Sequence, residues 1–171
     1  IALSLPLWGK KNSTFGISGH FGQEEYDTNV SGNNEEFDTW SLILDISIPI
    51  MDKLALKGEI WVGKNMATYL GGINQGVNLT RMKEISSRGG WVTLKAGPFD
   101  KWTFNIGTSM DDPEDDDLST GGRSKNWSIF TNVFYNFTDY LVIGSEVSYW
   151  YTGYEGQEEG NSVRIQGSMM Y

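Results

Sequence analysis

The side chains with chemistry to offer are charged groups that keep phase with one another along alternating stretches of the chain. Glu24, Asp45, Lys57, Glu59, Lys95, Glu146 and Arg164 each stand on the polar side of a segment whose other side is apolar. Such groups belong in water or in pairs, and not in hydrocarbon. If the apolar sides meet lipid, these seven line an aqueous lumen, where opposed charges orient and filter solutes. In a narrow closed barrel the same groups pair off as a filling, for example Glu146 with Arg164 across adjacent strands.

A second cluster is the run DDPEDDD, comprising Asp111, Asp112, Glu114, Asp115, Asp116 and Asp117. Its carboxylates suit Ca²⁺, or lipopolysaccharide bridged through divalent cations, but the spaced ligands and glycine of an EF-hand loop are missing. A solvated loop is the alternative for a block of like charge. GGINQG (71–76) has the glycines of a phosphate cradle without a basic residue at P-loop spacing. The long segment 64–88 around it is expected to fold inward as a constriction, with Arg81, Lys83 and Glu84 as lining groups. His20 has no second histidine beside it, and no nucleophile motif occurs. With no cysteine there is neither a disulfide framework nor a thiolate metal site. Neither an enzyme nor a resident cofactor is expected. The net charge of -9 argues against a nucleic-acid partner.

The elements that must position these groups read as strands. The apolar even positions from Trp40 to Ile50 oppose Ser41, Asp45 and Ser47, a period of two. Similar stretches cover 13–26, 53–63, 89–99, 101–110, 126–137, 139–151 and 162–171, about eight strands in all, with both faces of 126–137 carrying aromatics. Segment 79–86 is expected to form a helical turn or two. No apolar run approaches the roughly 18 to 20 residues of a membrane-spanning helix, which says nothing about a barrel. Connections alternate: 51–53, 99–101 and 137–139 are tight, whereas 27–37, 64–88, 111–126 and 152–161 are long. Short periplasmic turns and long extracellular loops give an antiparallel up-and-down transmembrane barrel that alternation. Aromatics at strand ends, Trp40, Tyr69, Trp91, Trp102, Trp127, Phe137, Tyr140, Tyr149 and Tyr151, fit two interfacial girdles. The closing strand, with Ile165, Met169 and Tyr171 in phase, has the amphipathic aromatic ending that barrel-assembly machinery reads as an insertion signal.

Three stretches carry more specific information: YLGGINQGVN (69–78), MDDPEDDDLSTGGRSKN (110–126) and the sequence from Val142 to Tyr171. Together they resemble the C-terminal half of DcaP-like and related Gram-negative porins. The resemblance implies part of a barrel of about sixteen strands, usually a homotrimer, that passes small hydrophilic solutes across the outer membrane among lipid and lipopolysaccharide. ALSLPLW at the start is expected to end a preceding strand, with Gly9 to Asn12 as its turn. Two other readings remain open: a self-contained eight-stranded barrel with a structural or adhesive role, and a secreted β-sandwich or barrel that binds a carbohydrate or lipid.

Overall fold

The computed structural model describes residues 1–7, 11–27, 34–69 and 71–171. Nine strands form one antiparallel sheet in chain order. They are β1 (Ala2–Leu5), β2 (Ser13–Asp27), β3 (Asn34–Met51), β4 (Leu54–Lys64), β7 (Ser86–Phe99), β8 (Trp102–Pro113), β9 (Arg123–Asn136), β10 (Val142–Tyr154) and β11 (Gln157–Met170). A two-stranded ribbon of β5 (Val77–Asn78) and β6 (Lys83–Glu84) lies in the long segment between β4 and β7. Among the described residues no helix is long and apolar enough to cross a membrane.

The expected eight strands are all present, and ALSLPLW supplies a ninth, since Ala2–Leu5 pairs with Ser13–Gly16. Residue 8 of that stretch, residues 9 and 10 of its expected turn, and 28–33 of the expected loop 27–37 lie outside the described residues. Boundaries move mainly at the long-loop end. There β3, β7 and β9 begin, and β8 and β10 end, several residues beyond the alternating apolar stretch. A backbone ladder needs only paired N–H and C=O groups, so it continues where both faces are polar. One consequence is a correction: 152–161 is no long loop, because β10 and β11 run on to leave only Glu155 and Gly156 between them. Segment 79–86 also differs from the expected helical turns. Asn78 Oδ1 accepts the N–H groups of Thr80 and Arg81 at 3.1 and 3.2 Å, and Met82 is left-handed, so the chain turns back into β6.

The register settles both faces of the sheet. One cross-strand row reads Ile48, Leu56, Leu94, Ile106, Thr131, Val147, Ile165, and the next Phe15, Ile46, Gly58, Val92, Thr108, Ile129, Tyr149, Val163. Nothing among the described residues covers this apolar face: Ile60 is 61%, Ile106 53% and Ile165 77% exposed. Each such side chain forgoes about 1.5–3 kcal/mol that burial would contribute. A contiguous surface of this kind far exceeds the few hundred Å² normal on a soluble monomer. The face has polar ends. At the long-loop end Asp112 bridges Arg88 (3.3 Å) and Lys125 (3.2 Å). Aromatics precede each end: Trp127 with Tyr149 (6.1 Å between rings) on one side, and Trp102 with Tyr135 (4.6 Å) and Tyr135 with Phe137 (6.4 Å) on the other. Two residues expected in these girdles stand elsewhere, as Trp91 and Tyr69 lie on the polar side, Tyr69 stacked on His20 at 3.6 Å.

Buried hydrophobic side chains among the described residues are Phe37, Met66, Ile73, Ile85 and Leu118. All five belong to the long-loop end, where the inserted segment packs on the polar face. The sheet itself has no apolar core.

Candidate functional site

The polar face is the candidate site, and the register places all seven expected lining groups on it. Asp45 and Glu59 are direct cross-strand partners, Lys57 lies between Ser47 and Thr93, and Lys95 between Ala55 and Asn105. Among the described residues none of these four forms an ion pair. Two carboxylates directly opposite one another repel, so this arrangement needs water over it. Asp45 leans across Gly16, where a Cβ would collide with its carboxylate.

The remaining three are engaged. Arg164 does not pair with Glu146 as the filled-barrel reading required; its guanidinium stacks on Trp150, 4.6 Å from the ring centre. Glu146 instead accepts from Asn132 Nδ2 (3.2 Å), and Asn132 Oδ1 accepts from Asn105 Nδ2 (2.6 Å), a polar belt across β8, β9 and β10. Glu24 holds the inserted loop: its carboxylate accepts from Asn65 Nδ2 (3.0 Å) and Thr68 Oγ1 (2.8 Å).

The segment 64–88 does fold onto this face. Its middle, Gly72–Asn74, is a run of three left-handed residues, in which the Asn74 N–H closes on the Gly71 carbonyl (3.1 Å) while the N–H groups of Gly72 and Ile73 converge on Asp111. A carboxylate of the protein fills that concavity, with Asp111 Oδ2 accepting from Ile73 N at 2.9 Å. GGINQG is therefore an anion cradle occupied internally, which explains why no basic residue follows it. Gln75 completes the docking with a two-way bond to the backbone of Arg123 (2.7 and 2.9 Å). His20 closes the β2 side. Thr39 Oγ1 donates to the Asn65 carbonyl (2.9 Å), so His20 Nε2 is the donor to Thr39 (3.0 Å), and Nδ1 accepts from Ser41 Oγ (2.7 Å). This histidine positions a loop.

Arg81, Lys83 and Glu84, expected to line a constriction, act as clasps on its outer side. Lys83 pairs with Asp117, Arg81 Nη1 donates to the Asp116 carbonyl, and Glu84 accepts from Asp38 N. The acidic run is correspondingly dispersed: Asp111 sits in the cradle, Asp112 and Glu114 face Arg88, and Asp115–Asp117 form a short turn with Asp117 buried. Among the described residues no three acidic or histidine groups converge on a point that would hold a cation. Sequence reasoning missed the hub of this assembly, Asn78, which donates to the Asp117 carbonyl (2.8 Å) and accepts from Ser119 Oγ (3.0 Å). An asparagine two residues after a glycine was its only signal.

Asp117 makes the clasp pH-dependent. Burial pushes its carboxyl up, but the hydrogen bonds from Lys83 and Ser86 outweigh burial and hold it below the usual carboxylate range. A lowered pKa in the folded state gives stability that is full above the ordinary carboxylate pKa and lost as pH falls through the lowered one. Hydrogen exchange of the amides from 77 to 84, corrected for the intrinsic pH dependence, will therefore rise only on acidification in wild type. Asp117→Asn will raise it at neutral pH.

No protein-family model and no curated protein sequence matches the chain. In structure the chain is similar to the outer membrane channel DcaP of Acinetobacter baumannii, with a TM-score of 0.66 at 10% sequence identity. The match covers 92% of this chain and 49% of that one, so the chain spans about half of its structural neighbour. At this identity the likeness concerns the fold.

Proposed function

We propose that this chain forms one side of a water-filled outer-membrane channel that passes small hydrophilic solutes by diffusion. The observation that carries the reading is the two-faced sheet: an exposed apolar face flanked by aromatics, opposite a charged face on which Asp45, Lys57, Glu59 and Lys95 form no ion pair among the described residues, with a loop folded over it. Lipid satisfies the first and water the second. The sheet is open, with β1 and β11 each paired on one side, and coverage of half of a channel structure supports closure by further strands. A barrel of about sixteen strands leaves an aqueous lumen, whereas about eight would fill with side chains. In this frame Val163, Ile165 and Met169 of the last strand face lipid, and with Tyr171 they form the stretch read by the assembly machinery. The charged border around Asp112 stands at the level of lipopolysaccharide, and a homotrimer is the assembly that the resemblance implies.

Osmotic swelling of liposomes containing the complete protein tests the reading. Rates that fall with solute size, without saturation for simple linear polyols, are expected. Folded, inserted protein with no swelling above empty liposomes contradicts it.

A further inference from the structure

Besides Tyr26, Phe37 and Tyr69 at the long-loop end, the face that should be polar carries Trp61, Trp91, Phe130, Phe134 and Trp150. Three have glycine as the direct cross-strand partner: Trp61 with Gly89, Phe130 with Gly107 and Phe134 with Gly144. A Cβ on each of those glycines would lie under 3.0 Å from ring atoms. The rings therefore lie across the backbone of the next strand and turn their outer surface towards the lumen. Covering a glycine is also a way to stabilise a sheet, which accounts for these three. It does not account for Trp91, set between Glu59 and Ser109, or Trp150, between Ser128 and Ser162. Trp91 is 39% exposed although apolar cover was available to it on the other face.

Beside the rings runs the belt of Asn105, Asn132 and Glu146. Its internal bonds leave Asn105 Oδ1 and Glu146 Oε1 as acceptors. Flat apolar surfaces next to hydrogen-bond acceptors suit a solute with an apolar ring face and a hydroxyl edge. We propose that the polar face binds pyranose sugars in passage, with Trp91 and Phe130 as stacking platforms and the belt as partner for the hydroxyls. Trp91 and Phe130 are two strands apart and two residues offset in register, about 12 Å between their backbones, so a solute of linked rings engages both. The inference rests on the channel reading and adds its substrate class.

The test is block of ionic current through the complete protein in a planar bilayer, with a linear glucose hexamer as probe and polyethylene glycol of equal hydrodynamic size as the ringless control. The hexamer is expected to block saturably, the control without saturation. Trp91→Ala with Phe130→Ala will raise the half-blocking hexamer concentration about tenfold, the scale of one lost ring contact, and leave the control unchanged. Trp91→Leu with Phe130→Leu keeps apolar volume, so it must show the same loss if ring faces matter, and it serves if the alanine pair does not assemble. Equal, unsaturable block by both probes, or an unmoved half-blocking concentration in both variants, overturns the inference while leaving the channel intact. Absence of any current is the failure of the channel reading instead.

Discussion

Ile106→Arg will markedly destabilise the protein in lipid while Gln166→Arg will not. Ile106 is central on the outer side of β8, between Trp102 and Phe104 at one end and Met110 at the other, and is 53% exposed. In a soluble sheet a half-exposed isoleucine exchanges for arginine within about 0.5 kcal/mol. At the centre of a bilayer the same change costs about 2–4 kcal/mol, a sizeable share of the roughly 5–15 kcal/mol by which a domain is stable. Gln166 stands on the polar face opposite Glu146, where a guanidinium meets water and a carboxylate. Urea titration in lipid vesicles, followed by the heat-dependent gel shift, separates the two. Equal stability of both variants would mean that the apolar face does not meet lipid.

Asp111→Ala is expected to free the inserted loop. Ile73 is held left-handed at φ 52, which for a β-branched residue stores roughly 1–3 kcal/mol. What holds it there is the charge-assisted bond from its N–H to Asp111, of the order of 1.5–3 kcal/mol. Removing the carboxylate leaves the strain unopposed and the convergent N–H groups without a partner. The docked-to-free ratio should fall by at least about tenfold, and single-channel current should become larger and noisier. Deletion of 70–86 should produce the larger current without the noise. Conductance indistinguishable from wild type in both would remove the loop from the conduction path.

The sheet was legible because a period of two survives in any strand with unlike faces. Trp40 to Ile50 alone gives the phase of β3, and the tight turns at Asp52, Asp100 and Phe137 then propagate it. Placement of Glu24, Asp45, Lys57, Glu59, Lys95, Glu146 and Arg164 on one face followed from that phase. Their partners did not, since contacts across strands depend on register, which Asn-rich and Gly-rich ends do not encode. So Arg164 was matched to Glu146 when Trp150 lay nearer. The stretch 126–137 resisted assignment for a related reason. Phe130 and Phe134 break its pattern, and only Gly107 and Gly144 on neighbouring strands make room for them. The inserted loop was foreseen from length alone. Its clasps are side-chain hydrogen bonds of Asn65, Asn78 and Asp111 to partners 41, 39 and 38 residues away, and these carry no hydrophobic period to read.

The two-faced sheet itself can be tested directly: these 171 residues contain no cysteine, so once any cysteine elsewhere in the complete protein is replaced, each introduced thiol reports alone. Single cysteines at Asp45, Ser47 and Glu59, and at Leu44, Ile46 and Ile60, would be treated with a membrane-impermeant maleimide on the complete protein in lipid vesicles and again in urea. The first set should label in both conditions, the second only after unfolding. Labelling of Ile60 in the folded protein at the rate of Glu59, as its exposure to the surroundings would dictate in water, would contradict a lipid-facing surface and with it the channel.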